Sequence, residues 1–502
     1  MTNSEPLALS LDIGTSSSRA LLWDSAGREV MGTGAQVHYQ MRTTPDGGVE
    51  MDAEDLLMHI SGCIDRALSA AGDRAKHIKA VGISTFWHSL LGIDAAGNAV
   101  TPIFSWADNR AAEQAEILRA KLDAAQVHRQ TGCIIHPSYY PARLLWLKNR
   151  MGASFDLVHR WVSPSEYLFG KWFGRQAVTV SVSMASGTGL FLQSEQTWDA
   201  DLAETIGIGI ETLSRIVDLK EFSSGLSQEY SKRWSALREV PFYPAVGDGA
   251  CGNIGSGCTA PDRLAINLGT SGAIRAVWSE DAGNSEYQHP GHGLWRYRVD
   301  SRRPVIGAAF SDGGHVFAWM TRCLNLSGSS PEQLDTALSA MQPGAHGLTF
   351  LPFLAGERSM GWHVDARAGI FGLNLDTGPL DILRASMEAV ALQFMEAALQ
   401  LQQTFPAATE IVASGGALGH SRAWQQMFAD AIGCPVTLAE EPEASSRGAA
   451  LLALEAAGII SSIAEAPARL GKTIEPNLKV TGQYMDMSSR RNVIYRALFP
   501  DA

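Results

Sequence analysis

Two segments half a chain apart share one pattern, and that pattern limits what the chain can fold into. The first runs Leu7-Ala-Leu-Ser-Leu-Asp-Ile-Gly-Thr-Ser-Ser-Ser-Arg19-Ala-Leu-Leu-Trp-Asp24. The second runs Leu264-Ala-Ile-Asn-Leu-Gly-Thr-Ser-Gly-Ala-Ile-Arg-Ala-Val-Trp278. They align without a gap: Asp12 with Asn267, Gly14 with Gly269, Thr15 with Thr270, Ser16 with Ser271. In the first, a strand ends at Asp12, turns through Gly14 and resumes near Ala20–Trp23, giving a β-hairpin whose tip is rich in hydroxyls and backbone donors. The offset of 255 residues is about half of the 502-residue chain. This reads as an internal duplication, with one hairpin opening each of two similar domains. The alternative is two unrelated strand–Gly–Thr turns.

The remaining pattern is mixed α/β. Apolar runs at Ile78–Ser84, Leu90–Ile93 and Glu410–Ala413 read as strands, the last running into Gly415-Gly416. Helical periodicity covers Asp55–Ala70, Leu380–Gln403 and Arg422–Ile432, with Asp381 near a start and Gly433 at a C-cap position. Strands alternating with helices imply layered α/β domains. Pro, Gly and small residues cluster at Pro241–Gly255, so the expected domains are 1–246 and 247–502.

Charge and composition exclude several classes. Apolar residues make up 45% and charged residues 18%, enough to form a core. The net charge of −12 argues against a nucleic-acid partner. It does not exclude phosphate, which backbone N–H groups can bind inside an acidic protein. Met1–Pro6 lacks a basic segment followed by an apolar core, and no run of about 18 apolar residues exists. Six cysteines are scattered without a CxxC pair. The expectation is a cytoplasmic protein with buried, reduced thiols and no membrane segment.

Phosphate and catalytic motifs are few. Gly471-Lys-Thr473 has Ala466 where a P-loop needs glycine, and neither HExxH nor GxSxG occurs. Gly247-Asp-Gly-Ala-Cys-Gly252 matches a dinucleotide fingerprint literally, but Asp248 would face a pyrophosphate and the next strand ends in Asn267, which is not acidic. The segment reads better as a carboxylate presented between two glycines, with an ordinary Asp-Gly turn as the bland alternative. The turns Gly14–Ser18 and Gly269–Gly272 could grip a polyphosphate from two sides. Trp87-His88, Trp106, Asp108 and Arg110 form an aromatic and polar cluster suited to a polyhydroxylated ligand, or else a core tryptophan beside a surface ion pair.

In this order the motifs resemble the FGGY carbohydrate kinases of the actin-like ATPase superfamily. The resemblance rests on Asp12–Arg19, Trp87-His88, Trp106–Arg110, Gly247–Ala250, Asn267–Gly272, Pro352-Phe-Leu-Ala-Gly-Glu-Arg358, Ser414–Ala417 and Ser445–Ala450. It implies an α/β fold of two duplicated actin-like (ribonuclease H-like) domains with a cleft between them. It also implies ATP-dependent phosphorylation of a terminal hydroxyl on a sugar or sugar acid. By the same resemblance Asp248 is the general base, and Trp87, His88, Asp108 and Arg110 join it in binding the sugar. Asp12 supports Mg²⁺ through water. Gly14, Thr15, Ser16 and Arg19 meet the transferred phosphoryl group, while Gly269, Thr270, Gly314, Gly415 and Gly416 hold ATP. Ala318 stands where glycerol kinases carry a glutamine before a tryptophan. Phe86-Trp-His-Ser89 lacks their Arg-Glu pair. Thr131–Pro137 and Leu144–Lys148 are similar to the gluconate branch, so gluconate is favoured, with a pentulose (xylulose or ribulose) or a polyol as alternatives. Arg110, Arg143, His88 or His136 could meet a gluconate carboxylate. Homo-oligomers, homodimers among them, are frequent in such enzymes, and no surface in the sequence marks one. A nucleotide-switched binding protein on the same scaffold and a dehydrogenase are the rival readings.

Overall fold

Leu7–Ile13 is buried at every position, so this strand must be covered on both faces. In the computed structural model, which describes residues 5–280 and 290–500, it lies at the centre of a five-stranded sheet. It pairs antiparallel with Ser17–Trp23 and parallel with Ile78–Thr85. The sheet ends at Ala35–His38 on one side and Val246–Gly247 on the other. The second hairpin, Arg263–Leu268 with Gly272–Val277, occupies the middle of a seven-stranded sheet. Arg263–Leu268 pairs parallel with Glu410–Ser414. Each hairpin thus has one antiparallel and one parallel neighbour. Asp12 stands opposite Ser84, and Asn267 opposite Ser414. The duplication read from sequence is a duplication of topology.

Helix positions follow the periodicity: Ala53–Ala71, Pro379–Thr404 and Arg422–Ile432. Asp381 accepts a hydrogen bond from the Gly378 N–H at 2.9 Å, and Gly433 is left-handed at the helix end. One expectation is corrected. The second strand of the first hairpin starts at Ser17, not near Ala20, so Ser17 and Ser18 are buried strand residues rather than tip hydroxyls. Ser18 pairs with Tyr39 Oη at 2.9 Å. Only Thr15 and Ser16 remain at the turn.

The chain also crosses back on itself. Helix Ala444–Ala456 packs on the first sheet, and Ala449–Leu452 and Leu454 join its core. Its backbone touches helix Asp248–Gly255: a Cβ on Gly448 would sit 1.9 Å from Cys251 O, and one on Gly255 would sit 1.8 Å from Ala444 O. Arg447 fastens this packing. Its guanidinium donates to Gly27 O, Gly255 O and Ala466 O at 2.7–2.8 Å. The result fixes the helix whose first residue is Asp248 between the two sheets. All six cysteines are free; Cys63, Cys133, Cys251 and Cys258 are buried, but Cys323 is exposed. Among the described residues no helix is long and apolar enough to cross a membrane.

Candidate active site

Two cavities meet at one carboxylate. The outer, of about 570 Å³, is lined from both sheets: Asp12 and Arg19 on one side, Asn267, Ser414–Gly416 and Glu440–Ser445 on the other. The inner, of about 250 Å³, is walled by Phe86, Trp87, His88, Trp106, Trp295 and Tyr297. Asp248, Asn267 and Arg275 line both.

Asp248 opens a helix directly after a strand that ends in Gly247. Both flanking glycines have a spatial reason. A Cβ on Gly247 would lie 1.9 Å from Trp87 Cε2, and one on Gly249 would lie 2.8 Å from Arg275 Nε. The half-buried carboxylate accepts the Gly249 N–H at 2.7 Å. Burial pushes its pKa up to about 6, against the opposing pull of the Arg275 guanidinium. Asp12 is buried beside Arg19 at 3.5 Å, and burial raises its pKa as well. Arg19 also reaches Glu443 at 3.3 Å, linking the first hairpin to the segment before helix Ala444–Ala456.

The aromatic wall is held by backbone carbonyls. Trp87 Nε1 donates to Ser183 O at 3.0 Å, and Trp87 packs edge-on against Tyr297 at 5.1 Å. His88 is left-handed (φ 64°), an uncommon conformation for a non-glycine residue. Its Nδ1 donates to Gly187 O at 2.5 Å. Burial lowers its pKa to about 3. The ring is therefore neutral, which leaves Nε2 as an acceptor for a ligand hydroxyl.

The two turns of the hairpins approach the same space. Thr15 from the first and Ser271-Gly272 from the second line the inner cavity, while Ser16 is exposed at the first tip. Gly14 closes the first turn by donating to Ser17 O at 2.9 Å. Gly269 and Thr270 sit on the start of helix Gly314–Cys323: Gly314 N donates to Gly269 O at 2.7 Å, and His315 N to Thr270 O at 3.3 Å. Gly415 and Gly416 border the outer cavity. Gly415 has φ 98°, and a Cβ there would lie 2.4 Å from Leu268 O. Only glycine lets this turn fold against the second hairpin.

Not every expected residue joins them. Asp108 and Arg110 lie outside the inner cavity and bind each other. Arg110 also donates to Glu50 at 2.8 Å and stacks 4.8 Å over Trp146, while Asp108 accepts the Val49 N–H. The pair locks the loop carrying Trp106 and leaves little of either group for a ligand. Arg143 is likewise engaged, by the carbonyls of His88, Phe104, Ser105 and Pro137. His136 is neutral because burial holds its pKa well below the ordinary value. The structure instead brings Arg275 and Arg358 to the inner cavity. Alternation along Gly272–Val277 was the available signal for Arg275, an arginine interrupting an apolar strand.

This arrangement matches known proteins along almost its whole length. Residues 7–255 fit the model of the FGGY family of carbohydrate kinases, N-terminal domain, and residues 264–457 fit its C-terminal domain. The chain belongs to the FGGY family of carbohydrate kinases. It is a phosphotransferase, an ATP-dependent sugar kinase. It is 27% identical over 474 residues to the gluconokinase of Bacillus subtilis (strain 168), covering 93% of this chain and 90% of that one. A xylulose kinase of Staphylococcus xylosus is 24% identical over 451 residues, covering 89% and 90%. Among solved structures, gluconate kinase from Lactobacillus acidophilus superposes with a TM-score of 0.89 at 26% identity, covering 98% of each chain. A ligand-bound xylulose kinase from the same organism has the same TM-score, identity and coverage. The two-domain fold expected from the duplicated hairpins is therefore the family fold.

Proposed function

We propose that this kinase transfers the terminal phosphoryl group of ATP to a terminal hydroxyl of a sugar acid, with gluconate favoured. The observation that carries the reading is Asp248, among the described residues the one carboxylate that lines both cavities. A sugar in the inner cavity and a nucleotide in the outer one would meet there. Asp248 takes the proton of the attacking hydroxyl. That oxygen bonds to the γ-phosphorus as the bond to the bridging β–γ oxygen breaks, and ADP leaves. A carboxylate held near pKa 6 is ionised at neutral pH, yet more basic than a free aspartate at 3.8. Most of the acceleration comes from positioning and fixed charge. Thr15, Ser16, Gly14 and Arg19 face the phosphoryl group from the first half. Gly269, Thr270, Gly314, Gly415 and Gly416 hold the nucleotide from the second. We assign 1–246 and 247–502 as the two domains.

The residues present fit Mg²⁺. It usually keeps several waters and takes one or two carboxylates plus substrate phosphates. Asp12 supplies a carboxylate at the outer cavity, and among the described residues no group of three or more His, Cys, Asp or Glu forms a protein cage. Bound there through water on Asp12, the ion would neutralise phosphate charge. Xylulose or ribulose is the second reading, favoured by the equally good superposition on a xylulose kinase.

ADP release with Mg-ATP across gluconate, xylulose, ribulose, ribitol, erythritol and glycerol tests the proposal. Strong turnover on gluconate that disappears in Asp248→Asn is the expected result. A pentulose as best substrate would overturn the gluconate assignment. ATP turnover independent of any sugar would favour a nucleotide switch and overturn the transfer itself.

A further inference from the structure

Arg110 and Arg143 are already engaged, and His88 and His136 are neutral, so none of them offers a charge to a substrate carboxylate. The inner cavity nevertheless carries an excess of positive charge. Among the described residues its ionisable lining is Asp248, Arg275 and Arg358, with His88 and Tyr297 held neutral by burial. That is two guanidinium groups against one carboxylate. The two cations are close enough that Arg358 lowers the proton affinity of Arg275, whose pKa burial already depresses.

Neither cation has a hydrogen-bond acceptor among the described residues, and both Nε atoms are buried without a partner. An unpartnered Nε is shared by Arg143 and Arg298, but the fully buried arginines spend their terminal N–H groups on acceptors. Arg447 and Arg143 donate to carbonyls, Arg384 to Glu388, and Arg298 to Glu280. The fold also makes room for Arg275. A Cβ on Gly249 would come within 2.8 Å of its guanidinium, and one on Gly307 within 3.0 Å of its Cγ. Its stem therefore lies across strand Pro304–Phe310, where Ala309 and the neighbouring Ala273 keep the cavity floor low. Its guanidinium lies 6.0 Å from the Trp295 ring, and that of Arg358 lies 5.0 Å from Trp106 and 6.0 Å from Trp362. Aromatic faces fix the planes of both groups while leaving their N–H edges available, the geometry that receives a carboxylate.

We infer that Arg275 and Arg358 form a carboxylate receptor, and that the inner cavity selects a sugar acid over the neutral sugar of the same carbon skeleton. The inference rests on the kinase reading above and names the residues that decide its substrate class. A neutral sugar leaves the second cation uncompensated in a desolvated space. A sugar acid balances it, with the carboxylate at the receptor and the far hydroxyl at Asp248. The rival role for Arg275 is to act only as countercharge to Asp248, and that role would not distinguish acid from neutral sugar.

The test compares D-gluconate with D-glucitol, which carries a hydroxymethyl group in place of the carboxylate. kcat/KM is measured for both in the wild type, Arg275→Gln, Arg358→Gln and Arg275→Lys, with gluconate binding in the absence of ATP followed by calorimetry. The wild type should prefer gluconate. Each glutamine variant should lower the gluconate-to-glucitol ratio about 10- to 100-fold, with gluconate affinity falling in step. Arg275→Lys keeps the charge, should recover part of the loss, and serves if a glutamine variant fails to fold. Equal losses on both substrates would reduce Arg275 to a countercharge and overturn the receptor. So would a wild type that prefers glucitol. No ADP from any sugar would instead overturn the kinase reading on which the receptor rests.

Discussion

Replacing Asp248 with asparagine should remove activity and raise stability, and the size of the second effect can be worked out. The carboxylate is held at about 6, against an ordinary 3.8, chiefly because burial disfavours its charge. That difference corresponds to roughly 3 kcal/mol against the ionised form. The folded pKa lies above the unfolded one, so the ionised group costs stability. The cost is full above pH about 6, shrinks as the pH falls, and is absent below pH 3.8. That difference already includes the attraction to Arg275, and asparagine can keep the hydrogen bond from Gly249 N–H, so a net gain of about 1–3 kcal/mol at pH ~8 is expected. For half of a 502-residue chain melting as one unit, that is about 2–6 °C in Tm. Turnover should fall on the order of 10²–10⁴-fold. Thermal melts at pH ~8 and pH ~4, run beside ADP-release assays, measure both effects. A gain independent of pH would refute the buried-charge argument. Near-wild-type turnover would refute the assigned base.

Other outcomes follow from the same geometry. In the wild type kcat/KM should decline as the pH drops through about 6, because protonated Asp248 cannot accept the hydroxyl proton; a profile level across that range would contradict it. Gly247→Ala places a Cβ 1.9 Å from Trp87, so the indole must shift and sugar KM should rise about tenfold or more, with a much smaller change in ATP KM. Gly415→Ala combines φ 98° with a contact at 2.4 Å to Leu268 O, and steady-state kinetics should show the reverse split, with ATP KM raised most. Arg447→Leu removes the donor to the Gly27, Gly255 and Ala466 carbonyls and leaves the buried Glu441 with Arg469 alone at 3.8 Å, and urea unfolding should show a loss of about 3–5 kcal/mol.

Much of this was legible in the sequence because it is local. Alternation, glycine turns and the repeat of Asp12–Ser16 at Asn267–Ser271 are properties of neighbouring residues. They specified two hairpins, and the carboxylate set between Gly247 and Gly249, before any contact was known. Local pattern misjudged the tip of the first hairpin, where Ser18 turns inward to Tyr39. It said nothing of helix Ala444–Ala456 returning to the first sheet.

What only the tertiary structure decided is which charges are available. Arg110, Arg143, Arg275 and Arg358 are chemically alike in sequence. Arg110 is taken by Glu50, 60 residues away, and Arg143 by carbonyls up to 55 residues away. Arg275 and Arg358 lie over aromatic rings and have no hydrogen-bond acceptor among the described residues, although Asp248 attracts Arg275. A side chain's identity fixes its charge, but only the fold sets which partners have satisfied it. The pair at the inner cavity was therefore invisible until the chain had closed around it.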